Sequence, residues 1–372
     1  MHRREFIAYG SAAALASTLV KTALDQEAAA QPGTTHNLEL HFEEVYEEMI
    51  DGEVLFAYAF RDPVTRLIRP PLYVTQGSTM RIKLVNKTTR PCRFAMTGFP
   101  DDKWPVIQPG KQYTIGFTAP LAGSYIYHEN ALGAIGRVAG FYGAFISQPF
   151  DGRTAAGTRT PYSAPTAAQS ALFDALGTPP HFPGEQWQPD NYERTKCWVF
   201  SDVFPDMNRQ LERKQTVTLN ELLYTYKARY FTMNSLSGFD AAHDDSCCPA
   251  GYLGEPVLLR TMNVGICTHG PHIHGNHVYG LAESGPDGKV IKCENVLEFD
   301  TWMLKPMWRK DVLLPFVKPD EIPAEVWPPR EEKFPLYYPM HCHIEMSQTA
   351  GGGNYPQGMV THWEMLGTRR GA

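Results

Sequence analysis

The stretch YYPMHCHIEMSQ, residues 337–348, sets a thiol between two imidazoles: His341, Cys342 and His343 follow one another directly. Aromatic and apolar residues lead into the triplet, which makes the run strand-like. In a strand, successive side chains leave opposite faces. His341 and His343 therefore share one face, and Cys342 takes the other. A second stretch, THGPHIHGNH (residues 268–277), repeats the spacing: His272 and His274 share a face, and His269 stands three residues earlier. If the two stretches are neighbours, four imidazoles converge on one side of a sheet. Cys342 then turns into its own domain, where His269 can meet it. A lone histidine is usually a surface or satisfied core residue, but a pair at i, i+2 in two strand-like segments points to metal. A thiolate with an imidazole and a thioether suits copper that shuttles one electron. An all-imidazole cluster suits copper holding an oxygen species, or zinc.

Outward from these stretches the chain alternates short apolar runs with turn residues. VLFAYAF, PLYVTQGSTMRIKLVN, QYTIGFTAP and GSYIYHEN lie before residue 150, and KCWVFSDVF, PVLLRTMNVG, DVLLPF and MVTHWEML after residue 190. β-Branched and aromatic residues dominate them, and Gly or Pro closes most. With 31 Gly and 30 Pro in 372 residues, the pattern is all-β, with a sandwich over 36–150 and a second all-β domain over 191–368. The halves echo each other, GSTMRIKLVN against GEPVLLRTMN and AGSYIYHEN against FPLYYPMHCHIE, which hints at duplication. Residues 151–190, rich in Pro, Ala, Thr and Gly, read as a linker with one short helix around AAQSALFDAL.

A net charge of −6 without a long basic run argues against nucleic acid as a partner. The start, MHRREFIAYGSAAALASTLVK, is basic and then apolar, and QEAAAQ follows. Residues 1–30 thus read as an export signal removed after about Ala30, with Arg3, Arg4 and Phe6 similar to a twin-arginine signal. The expectation is a periplasmic or otherwise exported protein with no membrane span. Seven cysteines leave at least one unpaired; Cys342 is that one, and disulfides are expected among the other six. Cys247-Cys248 reads as a disulfide or structural loop, Met346 as a packed methionine, and Glu129 as a surface residue or a proton relay.

Taken together, the motifs resemble those of the multicopper oxidases, the laccase-like cupredoxin family, over about residues 36–368. The family's H-P-x-H-L-H-G is matched by His269-Gly270-Pro271-His272-Ile273-His274-Gly275, and its H-C-H by His341-Cys342-His343. GSYIYHEN looks like its G-T-Y-W-Y-H-S-H, and GFYGAFI like its G-L-Y-G-A-L-I. The resemblance implies two cupredoxin-like Greek-key β-sandwich domains and copper as cofactor. It implies His269 and Cys342 as type 1 copper ligands, with Met359 in the axial place. His272, His274, His341 and His343 would face an interdomain cluster, joined by His128 from the first domain. In two-domain relatives that junction lies between subunits of a homotrimer. The implied activity is an oxidoreductase that takes electrons from a small-molecule or metal-ion donor.

Departures from the family pattern bear on each site. Ala95 and Thr97 stand where H-W-H has imidazoles, and Asn130 replaces the last histidine of Y-H-S-H, so five of eight cluster imidazoles remain. Ser347 stands at the second type 1 imidazole. Gly352 occupies the usual axial position, and a longer loop supplies Met359 instead. His362 would point to the other face of a strand restarting at Met359. The expectation is an oxidoreductase with an incomplete copper set. Copper storage or delivery without turnover, and a copper-free scaffold, are the rival readings.

Overall fold

The computed structural model describes residues 33–225, 227–327 and 333–368. The export signal expected over 1–30 lies outside these residues.

The first domain is built from eight strands: β1 (Thr35–Glu48), β2 (Val54–Arg61), β3 (Leu72–Thr75), β4 (Thr79–Asn86), β5 (Phe94–Met96), β6 (Gln112–Thr118), β7 (Gly123–Glu129) and β8 (Tyr142–Gln148). They form two four-stranded sheets, ordered β2-β1-β4-β6 and β3-β8-β7-β5. Alternation decides which faces pack together. In β4, Met80, Ile82 and Leu84 are fully buried while Arg81 is exposed. Between the sheets lie Phe42, Phe60, Phe94, Tyr127 and Phe141; the Phe42 and Phe60 rings stand 4.8 Å apart. Burying each such ring contributes about 1.5–3 kcal/mol.

Eleven strands make the second domain: β9 (Thr195–Val203), β10 (Tyr230–Met233), β11 (Ala250–Tyr252), β12 (Val257–Asn263), β13 (Pro271–Ile273), β14 (Val278–Ser284), β15 (Val290–Lys292), β16 (Glu298–Phe299), β17 (Arg309–Leu314), β18 (Leu336–Cys342) and β19 (Val360–Gly367). One sheet runs β10-β9-β12-β17-β14-β15 with β16 on β14; the other runs β11-β19-β18-β13. β12 is buried along its whole length because both faces are covered. One face meets its own domain's core. The other packs Met262 and Val264, with Val199 of β9, against Ile126, Tyr142, Ala144 and Ile146 of the first domain. Within the same junction, Asp311 accepts from Arg260 (2.7 Å), from Ser124 of the first domain (2.6 Å) and from Tyr162 (2.8 Å). These buried charges and hydroxyls set the orientation of one sandwich on the other.

The segment 151–190 is packed rather than extended. Its helix, Ala167–Ala175, starts with a capping box in which Thr166 and Gln169 satisfy each other's backbone N–H. Phe173, Phe182 and Trp187 are buried against Tyr279, Leu281 and Leu313 of the second domain.

None of the seven cysteines is joined in a disulfide, which corrects the expectation of such bonds. Cys92 belongs to the first domain's core. Neighbouring Cys247 and Cys248 find separate oxygen partners, Cys247 donating to Met233 O at 3.6 Å and Cys248 lying 3.3 Å from Thr361 Oγ1. Among the described residues, no helix is long and apolar enough to cross a membrane.

Candidate metal centre

β13 and β18 pair antiparallel with His272 opposite His341 and Pro271 opposite Cys342. Pleating does the rest. Leu336, Met340 and Cys342 point into the core of the second domain, and His341 points out. His274 follows at the end of β13, where Gly275 turns the chain at φ +72°. A Cβ at Gly275 would lie 2.4 Å from the Tyr338 ring, so only glycine passes there. Tyr338 in turn stacks on Trp363, with centroids 4.3 Å apart, and Trp363 Nε1 donates to His274 O at 2.8 Å.

The result is a group of imidazoles on one face. The ligand nitrogens of His272, His274 and His341 all lie within 4.8 Å of one another. His274 Nε2 and His341 Nε2 are 3.0 Å apart. Two nitrogens about 2.0–2.1 Å from a shared ion sit about 2.9–3.4 Å apart, so this spacing fits a common metal. His343 flanks the group, its ring 5.1 Å from that of His272 and 5.7 Å from that of His341.

Hydrogen bonds behind the rings settle which nitrogen is free. His272 Nδ1 lies 3.1 Å from Asp300 O and 2.8 Å from Thr301 Oγ1. A carbonyl oxygen can only accept, and Thr301 spends its own proton on Asp300 Oδ1 at 3.0 Å. His272 Nδ1 is therefore the donor, and its Nε2 lone pair faces the group. His341 Nδ1 likewise donates to Cys342 O at 3.2 Å. Burial and the neighbouring imidazoles push the pKa values of His272 and His274 below the usual histidine value, which keeps the rings neutral and able to bind metal.

On the inner face, Cys342 Sγ stands 3.6 Å from His269 Nδ1. An ion about 2.3 Å from a sulfur and about 2.0 Å from a nitrogen, at a tetrahedral angle, puts those atoms about 3.5 Å apart. The thiol and imidazole thus have the separation of two ligands on one ion. Gly270 N donates to Cys342 Sγ at 3.3 Å. Met359 is buried in the same cluster and its carbonyl accepts from Cys342 N at 3.0 Å. Burial opposes charge at both groups, but their mutual attraction wins: His269, held also by Asp202, is raised to about 9, and Cys342 is lowered. Ser347, at the place of a second imidazole, is buried, and its hydroxyl donates to Ile344 O at 2.7 Å. The thiol and the imidazole are donor types that suit copper, and the residue at the second imidazole's place, Ser347, offers only a hydroxyl, a weak ligand.

Some residues singled out from the sequence are not brought together. His362 lies on the outer face of β19, 2.8 Å from Glu364 Oε1, while Thr361 and Trp363 point inward. His128 remains on β7 of the first domain; within one chain it joins neither group. Its Nδ1 donates to Glu129 O at 3.2 Å, which leaves Nε2 free. Glu129 is fully buried, accepting from the backbone N–H groups of Arg93, Ala131 and Leu132, and burial pushes its pKa up to about 7. The surface reading of Glu129 is thereby corrected: its carboxylate closes the turn after β7. Met346, in contrast, is 58% exposed rather than packed. Asp202 and Thr301 escaped the sequence reading, because neither lies near the histidine that it supports.

Residues 65–150 match a family model described as multicopper oxidase. No curated protein matches the chain. In structure it is similar to a blue copper oxidase from Nitrosomonas europaea, with 17% identity over 89% of this chain and 86% of that one and a TM-score of 0.64. It is also similar to a multicopper oxidase (18% identity, 89% and 86% coverage, TM-score 0.62) and to a copper nitrite reductase from Nitrosomonas europaea (15% identity, 89% and 94% coverage, TM-score 0.56). The fold is all-β, two cupredoxin-like sandwiches in the two-domain arrangement of these proteins. The resemblance to the multicopper oxidase family holds, by family model in the first domain and by fold across both.

Proposed function

We propose that the protein is an exported, copper-binding oxidoreductase that works with an incomplete copper set. One observation carries the reading. His272, His274 and His341 turn their metal-binding nitrogens to one point, while Cys342, next in the chain to His341, meets His269 on the opposite face. Copper held in such sites supplies one-electron redox chemistry. The protein's own part is to position the ligands: Thr301 and the Asp300 and Cys342 carbonyls fix the imidazoles, and the backbone 341–343 links the two pockets through a few covalent bonds.

The first domain's side supports the reduced set. Ala95 carries no ligand atom. Thr97 is buried, its Oγ1 accepting from Ile126 N at 3.0 Å, and Asn130 Nδ2 donates to Asp101 O at 2.8 Å. Of these four motif positions, His128 is the one that keeps an imidazole. His274 and His343 are exposed in one chain, and beside them Ile344 and Met346 are 46% and 58% exposed. A homotrimer would cover this face and bring His128 of a neighbouring copy to the group. A small-molecule or metal-ion donor fits the chemistry. The basic start of the chain supports export through a twin-arginine signal.

A second reading rests on Ser347. With a hydroxyl in place of the second imidazole, the Cys342 pocket favours Cu(I), which suits storage or delivery. Metal content per chain with an absorption spectrum separates the two. Copper in both pockets with an intense thiolate band, and oxidation of phenols or Cu(I), supports the oxidoreductase. Copper without colour or turnover supports storage. Absence of bound metal, or metal content unchanged when His272 and His343 are replaced by alanine, overturns both.

A further inference from the structure

Behind His269 stands a carboxylate that the sequence does not advertise. Asp202, on β9, is buried with no exposed side-chain surface. Its Oδ1 lies 2.8 Å from His269 Nε2. Its Oδ2 accepts from Ile266 N at 2.8 Å and Cys267 N at 2.9 Å. The approach is tight: a Cβ on Gly265 would fall 2.4 Å from Oδ2, so the chain passes over the carboxylate only as glycine. The His269 ring is fully buried between Phe200 and Phe231, whose ring centroids are 6.0 and 6.3 Å away, and its backbone N–H donates to Leu304 O.

We infer that Asp202 is the positioning residue of the Cys342 pocket: it holds the Nε2 proton of His269, turns the Nδ1 lone pair onto the site of the metal, and keeps a bound copper's reduction potential low. The argument is one of donors and acceptors. A carboxylate only accepts, so Nε2 carries the proton and Nδ1, 3.6 Å from Cys342 Sγ, is left as the ligand atom. Such a partner fixes the ring and raises the basicity of its other nitrogen. A more basic ligand stabilises Cu(II) over Cu(I), which lowers the potential. The inference rests on the reading of this pocket as a copper site.

Two substitutions test it. In Asp202→Asn, the backbone N–H groups of Ile266 and Cys267 both need an acceptor, so they claim the amide oxygen. The amide NH2 then faces His269 Nε2, which must accept and send its proton to Nδ1, against the metal. Asp202→Ala removes the charge without imposing a wrong proton. After copper loading of the full chain, Asp202→Asn is expected to lose the thiolate-to-copper absorption band. Asp202→Ala is expected to keep it, at a potential shifted upward from wild type. Both variants should retain copper at His272, His274 and His341, which reports that the fold survives. A wild-type band in Asp202→Asn, or an unchanged potential in Asp202→Ala, overturns the role of Asp202. Loss of copper from both pockets in either variant also overturns it, since Asp202 would then serve the fold alone. A wild-type protein without any thiolate band refutes the copper reading itself, and the tuning role falls with it.

Discussion

Replacing Thr301 by valine removes one oxygen and almost no volume, so it probes the support of the imidazole group without disturbing the strand. Thr301 Oγ1 holds His272 Nδ1 at 2.8 Å, and the Asp300 carbonyl stands 3.1 Å from the same nitrogen. The substitution leaves the longer contact, so the ring keeps its tautomer but loses its shorter anchor. Removing such a supporting partner typically weakens metal binding 10–100-fold. Because one acceptor remains, the low end applies: about tenfold, or about 1.4 kcal/mol. His272→Ala, which deletes a ligand, must cost more. Competitive titration of Cu(II) or Zn(II) against a chelator of known affinity, on wild type and both variants, reads these differences directly. Unchanged affinity in Thr301→Val would refute the claim that the Nδ1 contact orients His272. Equal losses in the two variants would show that Thr301 acts through the fold instead.

Other substitutions address the fold and the facing of the strands. Asp311→Ala leaves Arg260 charged and buried and strips Ser124 and Tyr162 of their acceptor; chemical denaturation should show a loss of about 3–5 kcal/mol. A loss below 1 kcal/mol would mean that water replaces the carboxylate. Gly275→Ala pushes a Cβ into the Tyr338 ring at a positive φ, which is expected to cost about 2–4 kcal/mol and weaken metal binding through His274. Wild-type stability and affinity there would contradict the close packing. His362→Ala should leave metal content unchanged, since that ring lies on the outer face of β19 beside Glu364. Metal analysis showing a lost ion would reverse the assigned facing of that strand.

How much was legible in the sequence differs from residue to residue. The two i, i+2 histidine pairs were legible because their chemistry and spacing are local. The short helix around AAQSALFDAL was legible from its composition, whereas the capping pair Thr166 and Gln169 that starts it at Ala167 was seen only in the structure. Asp202 was not, for it is an ordinary aspartate 67 positions from His269. Thr301 is similarly remote, 29 positions from His272. That no two cysteines are joined in a disulfide was equally hidden, since pairing depends on which strands approach.

Alternation along a pleated strand is a property of the covalent backbone, so the primary structure alone placed Cys342 on one face and His341 on the other. It also set the ligand types, and with them the leaning toward copper. Only tertiary structure decided that His272 lies opposite His341, that a carboxylate from β9 stands behind His269, and that His128 stays apart within one chain. The reason is physical. Strand register and sheet packing are settled by the burial of whole faces across distant segments, and no local stretch of chain contains that information.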